Sequence, residues 1–291
     1  MQSDGKGILK ELGKTGEKLT AIGIGTWKMS KTDESVMAIQ AGLDEGSNFV
    51  DTAEYYMNEE MVGKAIKDRE VFIATKVFPT HFRYDKVIKA CEHSLSKLGR
   101  KSIDLYQLHW PNKHVPIEET MKAMEKLVDD GKIRYIGVSN FDIEELKEAQ
   151  GAMKKYEIVS NQVEYSPMVT YIENGLLQYC QREKISVIAY SPLKHGSAMN
   201  IVSSKRSAIS EIAEKHGASV PQVILRWIIS KESVIAIPKS SNPERVRENI
   251  RSMHLDLNAD EIAKIDESIR EFKYSSTKAK FGPFISFFSR F

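Results

Sequence analysis

Residues 51–59 read DTAEYYMNE: an acid, two adjacent tyrosines and then Met-Asn-Glu, directly after the apolar run NFV. Other apolar runs also finish on polar groups. These are Lys76 in IATK, His109 in LYQLHW, Ser139 and Asn140 in GVSN, Gln162 in NQVEY, Tyr190 and Ser191 in AYSP, and Lys239 and Ser240 in IPKSS. A carboxylate, a phenol, an ammonium and an imidazole brought together could hold and pass a proton, once their surroundings adjust a phenol whose reference pKa is about 10. One polar strand end is ordinary, since every strand must leave the core. A polar end on run after run is a pattern.

The elements that would gather these groups follow from the hydrophobic pattern. Short apolar runs recur about every 25 to 35 residues: LTAIGIGTW, NFVDTA, VFIATKV, IDLYQLHW, IRYIGVSN, IVSNQVEY, ISVIAYSP and VIAIPKS. They are rich in Ile and Val and alternate weakly, as expected of strands buried on both faces of a parallel sheet. Between them, Val87, Cys91, Leu95 and Leu98, and again Ile117, Met121, Met124 and Val128, repeat at three and four residues, which puts one apolar stripe of a helix inward. Such α/β alternation permits an open doubly wound sheet or a closed barrel. The count of eight favours a (β/α)8 TIM barrel, whose active site lies at the C-terminal ends of the strands. IGIGTWKMS lacks the third glycine of a dinucleotide-binding GxGxxG turn.

Ahead of the first barrel run, ILKELGKTGEKLTAI reads as a hairpin turning at Gly13 to Gly16, with apolar flanks suited to plugging the barrel bottom. Past the eighth unit, NADEIAKIDESIREF reads as an extra amphipathic helix and KFGPFISFFSRF as a phenylalanine-rich tail. No linker or composition shift divides the chain, so residues 1–291 are expected to form one domain.

Composition excludes several classes. The 42 basic and 40 acidic residues leave a formal charge of +2 with no basic cluster, so no nucleic-acid partner is implied. Cys91 and Cys180 stand far apart without CxxC or Cys/His spacing, which supports neither a disulfide framework nor a structural zinc and fits a reducing cytoplasm. No secretory leader or membrane span is expected. A monomer or weak oligomer is compatible with this composition.

Taken in order, GIGTW, DTAEYYMNE, IATK, LHWP, GKIRYIGVSNF, NQVEYSP, AYSPL and IPKSSNPERVREN resemble the aldo-keto reductase family, over almost the whole chain from LGKTG to IPKSSNPERVREN. The resemblance implies reduction of an aldehyde or ketone by a nicotinamide cofactor, without a metal. It implies a catalytic tetrad of Asp51, Tyr56, Lys76 and His109, so spacing selects Tyr56 over Tyr55. Tyr56 would give the proton. A Lys76 ammonium about 4 Å away, in an effective dielectric of about 20, favours the phenolate by roughly 4 kcal/mol, or about 3 pKa units. A lowered phenol pKa is therefore expected. Asp51 would hold Lys76, and His109 would donate to the substrate oxygen. At that fourth position related double-bond reductases carry Glu and channel beta subunits carry Asn, so His109 points to carbonyl reduction.

By the same resemblance Ser139, Asn140 and Gln162 would bind the nicotinamide carboxamide and Tyr190 would stack on its ring. Thr26, Trp27, Asp51, Ser191, Pro192, Leu193, Ser241, Glu248 and Asn249 complete the expected cofactor contacts. Trp27, Tyr56, His109 and Trp110 would meet the substrate, a small carbonyl compound. Asn242 is a good N-cap and Pro243 a good first helical residue, so a helix starts there. Lys239, Ser240 and Arg245 at that end suit the 2'-phosphate of NADPH better than the bare ribose of NADH.

Met57 stands where the family usually has Gly, which adds bulk beside Tyr56. Tyr55 is left to pocket lining or packing, Asn58 to capping the next helix and Glu59 to its first turn, where an acid suits the macrodipole. The tail could cover the pocket mouth, lie on the barrel wall or meet a partner subunit. A Schiff-base aldolase would also use a barrel lysine, but it has no need of GVSNF, NQVEYSP or KSSNPERVREN. A barrel metallohydrolase would need a His-x-His signature that is missing. A nicotinamide-binding sensor without turnover would share fold and cofactor site. The complete tetrad argues against it.

Overall fold

The computed structural model describes residues 7–194 and 207–276. A short antiparallel hairpin, β1 (Leu9–Glu11) and β2 (Lys18–Thr20), precedes eight parallel strands. These are β3 (Ile24–Gly25), β4 (Phe49–Asp51), β5 (Phe72–Val77), β6 (Ile103–Leu108), β7 (Ile133–Ser139), β8 (Ile158–Glu164), β9 (Ser186–Tyr190) and β10 (Val234–Ile237). Each pairs with the next in chain order. The helices are α1 (Asp33–Asp44), α2 (Glu59–Ala65), α3 (Tyr84–Leu98), α4 (Ile117–Asp129), α5 (Ile143–Ala152), α6 (Leu176–Glu183), α7 (Ala208–Lys215), α8 (Val220–Ser230), α9 (Pro243–Arg251) and α10 (Ala259–Ser276).

The two sheet edges meet. Gly23 N–H donates to the Ala236 carbonyl at 2.8 Å, Ala236 N–H to Ala21 at 2.9 Å, and Gly25 N–H to Pro238 at 3.1 Å. The sheet is thereby closed into the expected (β/α)8 barrel. Glycine is needed at this seam because a Cβ on Gly25 would stand 2.6 Å from the Ile237 carbonyl oxygen, a contact with backbone that no side-chain rotation relieves. Gly25→Ala is expected to cost about 1–3 kcal/mol as overpacking. The urea midpoint should fall with an unchanged slope. A wild-type midpoint would mean that the seam can open by the needed fraction of an ångström.

Two apolar layers hold the molecule. Inside the barrel, Phe49, Phe72, Ala74, Leu105, Ile188 and Ile235 pack together with Leu12 and Leu19 from the hairpin region, so the hairpin does plug the barrel. Outside, strands and helices share the larger core, into which α3 sends Val87, Cys91, Leu95 and Leu98 and α4 sends Met121 and Met124. Ile117 and Val128 of the predicted α4 stripe are only partly buried against that core. The α10 helix carries Asp266, which accepts from the Trp227 indole N–H at 2.7 Å. The phenylalanine-rich tail lies outside the described residues.

Inward-facing positions alternate along each strand. On β5 they run Phe72, Ala74, Lys76, and on β4 Phe49 is followed by Asp51. The apolar interior thus gives way to ionisable groups toward the strands' C-terminal ends.

Candidate functional site

Lys76 is the centre of the site and is fully buried. Its ammonium has three N–H donors and three acceptors within reach: Asp51 Oδ1 at 2.6 Å, the Thr52 carbonyl at 2.6 Å and the Tyr56 phenol oxygen at 3.4 Å. Asp51 is equally buried, and its other oxygen accepts from the side-chain amides of Gln162 at 2.7 Å and Gln107 at 3.4 Å. His109 lies with its ring centroid 5.5 Å from that of Tyr56 and 3.7 Å from that of Trp110, on which it stacks.

Local structure fixes the tyrosines. Residues Glu54–Tyr56 form a single 3-10 turn that ends at Met57 in the left-handed region, with φ 55°. Glu54 reaches across to the segment after β5, where its carboxylate accepts from the Phe78 N–H and lies 3.1 Å from His81 Nδ1. Tyr55 stacks on Phe78 at 4.7 Å, and Trp27 and Trp110 stand around it. Phe78 is a wall residue that sequence reading missed, although it follows the lysine strand directly. Met57 is 67% exposed, so its added bulk faces solvent, and its effect falls on the backbone.

The expectation of a lowered Tyr56 pKa is overturned. Burial pushes the phenol well above its usual value, and the charges of Asp51 and, to a lesser extent, Tyr190 push the same way. The sequence reading weighed the ammonium and left out the desolvation that accompanies it. Lys76 is itself lowered by burial, against which Asp51 acts. His109 is driven well below the ordinary histidine range by burial, then by Lys76, and so is neutral near pH 7.

Asn58 and Glu59 stand at the start of α2 as expected, Asn58 at the N-cap position and Glu59 in the first turn, but their side chains bond elsewhere. Asn58 precedes α2, but its side chain makes no capping bond; it donates to the Thr26 carbonyl at 2.9 Å and accepts from the Thr52 hydroxyl at 2.9 Å. Glu59 is buried, accepts from Thr75 at 2.7 Å and is raised by that burial. Asn58 thereby links Thr26 to Thr52, and Glu59 holds the hydroxyl of Thr75, the residue before Lys76.

The predicted cofactor contacts form two groups. In the first, Ser139 Oγ donates to the Gln162 carbonyl at 2.9 Å, Asn140 Nδ2 to the His109 carbonyl at 3.1 Å, and Tyr190 Oη to Asn140 Oδ1 at 2.9 Å. Ser191 follows in left-handed backbone and starts a turn through Pro192 and Leu193. In the second, Asn242 caps α9 by accepting from Arg245 N–H at 3.1 Å, while Ser240 Oγ accepts from Asn242 N–H at 3.1 Å. Ser241 and Glu248 are half-buried and Asn249 is buried.

Lys239 and Arg245 are exposed cations. Lys239 is lowered by partial burial and by a neighbouring cation, Lys28, which sequence reading also missed. Lys28 lies 5.7 Å from the Trp27 ring, and Trp27 lies 4.8 Å from Tyr56 by ring centroids. These contacts lead from the cationic start of α9 to Tyr56. Thr26 spends its hydroxyl on the Asp51 carbonyl at 3.0 Å. No group of three acidic, histidine or cysteine side chains suited to a metal occurs among the described residues, and no helix among them is long and apolar enough to cross a membrane.

Comparison with known proteins agrees with this geometry. A sequence model of the Aldo/keto reductase family matches residues 21–270. The methylglyoxal reductase YeaE of Escherichia coli K12 is 38% identical over 259 residues, which cover 86% of this chain and 91% of that protein. The thermostable aldo-keto reductase Tm1743, solved with the inhibitor epalrestat, superimposes with a TM-score of 0.84 at 39% identity, over 90% of this chain and 99% of that one. An aldo-keto reductase from Klebsiella pneumoniae in complex with NADPH gives 0.83 at 36% identity, over 89% and 95%. A match of this extent, on a barrel of this form, makes the chain a member of the aldo/keto reductase family.

Proposed function

We propose that this protein reduces a small aldehyde or ketone to the alcohol with NADPH, and that Tyr56 gives the proton. Membership of the family makes the chain a carbonyl oxidoreductase, and NADP(H) is its dinucleotide. The observation that carries the proton assignment is the direction of one hydrogen bond. The phenol oxygen of Tyr56 accepts from Lys76, so its own O–H is left to point at a substrate oxygen.

NADPH, when bound, supplies the hydride that attacks the carbonyl carbon. The residues present fit such a group: exposed Lys239 and Arg245 and nearby Lys28 form no ion pair among the described residues and lie by an N-capped helix start, a donor set for a phosphate. Lys239, Ser240 and Arg245 would hold the 2'-phosphate, with Ser241, Asn242, Glu248 and Asn249 beside it. Ser139, Asn140 and Gln162 would hold the carboxamide, Tyr190 the ring, and Thr26, Trp27, Ser191, Pro192 and Leu193 the span between.

The chain's own chemistry is proton transfer and orientation. Neutral His109 would donate to the carbonyl oxygen, fixing it beside the Tyr56 hydroxyl. As the phenol gives up its proton, Lys76 opposes the cost of the phenolate, and Asp51 keeps the lysine in place. Trp27, Tyr55, Phe78 and Trp110 wall the approach with aromatic faces. Among candidate substrates, 1,2-dicarbonyls come first, because the Escherichia coli relative is a methylglyoxal reductase.

Oxidation of NADPH across a panel of aldoses, aliphatic and aromatic aldehydes, keto acids and methylglyoxal tests the reading. Binding of NADPH without turnover of any of them would favour the sensor alternative. An aldolase would instead be trapped on Lys76 by borohydride, yet this lysine is committed to three acceptors as an ammonium. Arg245→Ala is expected to raise KM for NADPH about tenfold or more, the loss of one charge-assisted contact, and to leave KM for NADH almost unchanged. Equal effects on the two cofactors would remove the phosphate assignment.

A further inference from the structure

We propose that Gln107 is a positioning residue for the reaction: from inside the barrel its amide holds the second oxygen of Asp51, leaving Lys76 free to act on Tyr56. The inference rests on the reading of Tyr56 as proton donor.

Gln107 lies on β6 two residues before His109, on the same face, and is the register partner of Lys76 on β5. It is fully buried, in an interior otherwise filled here by Ala74, Leu105, Ile188 and Ile235. An aliphatic side chain would pack at this depth without the cost of desolvating an amide. Its Nε2 points to Asp51 Oδ2 at 3.4 Å, while its Oε1 has no hydrogen-bond partner among the described residues. Flipping the amide would aim that oxygen at a carboxylate, so the orientation follows from the charge it serves.

Space for it comes from Gly137, its register partner on β7. A Cβ there would stand 3.0 Å from Gln107 Cγ and 2.5 Å from Ser160 Oγ. The missing side chain is what lets the glutamine lie across the barrel.

The effect is a division of the carboxylate. Oδ1 serves Lys76 at 2.6 Å, and Oδ2 serves two amides, Gln162 at 2.7 Å and Gln107 at 3.4 Å. Each donor on Oδ2 draws negative charge away from the Lys76–Tyr56 side. Gln162 is also the residue expected to meet the nicotinamide carboxamide. If it turns to that task, Gln107 is the amide that stays on Oδ2.

The titratable groups facing this cluster are Asp51 on β4, Tyr56 on the following turn, Lys76 on β5, His109 after β6 and Tyr190 on β9, with Glu59 of α2 acting on Lys76 from outside the barrel. Replacing Gln107 removes none of them.

Gln107→Met keeps length and volume and removes the donor. Its kcat is expected to fall about tenfold, as for one lost bond to a charged group. The alkaline limb of the kcat profile should move to higher pH, because Asp51 then opposes phenolate formation more strongly. NADPH affinity, read by tryptophan quenching, should stay within about twofold. Gln107→Asn, with a shorter reach, should move each quantity in the same direction, and it carries the test if the Met variant does not fold. An active wild type whose kcat and alkaline limb are matched by the variants overturns the proposal alone, as does a loss that falls on NADPH affinity. A wild type that reduces nothing in the panel removes the reading beneath it and the proposal together.

Discussion

Tyr56→Phe is expected to lower kcat by about 10²- to 10⁴-fold, the range for loss of a positioned general acid, with NADPH affinity kept. The substitution removes one oxygen from a ring held by Trp27 and His109, so the site should otherwise stand. The wild-type pH profile belongs to the same prediction. With Tyr56 as the proposed donor, reduction needs the protonated phenol, and a phenol pushed well above its usual value by burial remains protonated across the neutral and mildly alkaline range. His109, lowered well below 6.5, remains neutral on the acid side. The kcat for reduction should therefore be flat between about pH 7 and 9, falling only where the phenol ionises. A tyrosine-to-phenylalanine variant with full activity, or a wild-type limb centred near neutrality, would require another proton donor.

Lys76→Met should have the largest effect on stability. It leaves Asp51 buried with no counter-cation and deprives the Thr52 carbonyl of a donor, where removing one partner of a buried pair costs about 3–5 kcal/mol. The charge and not the volume is at issue, since methionine fills much of the same space. The double variant Asp51→Asn with Lys76→Met should consequently recover most of the loss in urea denaturation while remaining catalytically inert. If single and double variants unfold together, the pair contributes packing and not charge balance.

How far the sequence led depended on what each residue's neighbours would be. Barrel strands buried on both faces read as continuous apolar runs, so all eight runs became strands. Their polar ends supplied candidates because a strand's end is where the interior meets solvent, and the family resemblance selected Asp51, Tyr56, Lys76 and His109 as the expected tetrad. LTAIGIGTW, read as a single run, divides into the end of β2 and the short β3, because hydrophobicity alone does not separate a plug from a stave. Glu59 stands in the first turn of α2 as read, but an acid there suits the macrodipole equally well in solvent, so its burial was not legible. Its buried carboxylate accepts from Thr75 of β5, a long-range contact that no local pattern encodes. The reversed Tyr56 shift has the same origin: spacing supplied the charges and not the loss of water around them. Gln107 was legible in principle, since period-two alternation puts it on the face of His109.

The seam between β3 and β10 carries a consequence for biosynthesis. Thr26, just past β3, donates from backbone and hydroxyl to the carbonyl of Asp51, while β10 runs directly into Lys239 and α9. Asp51, proposed to hold the proton donor's lysine, and Lys239, proposed to meet the cofactor phosphate, therefore come together where the earliest barrel strand meets the latest. A nascent chain still lacking β10 leaves β3 as an open edge, able to recruit a foreign strand. Until that last stave leaves the ribosome, the molecule has neither a closed barrel nor a working site, and a shielding chaperone would matter most in that interval.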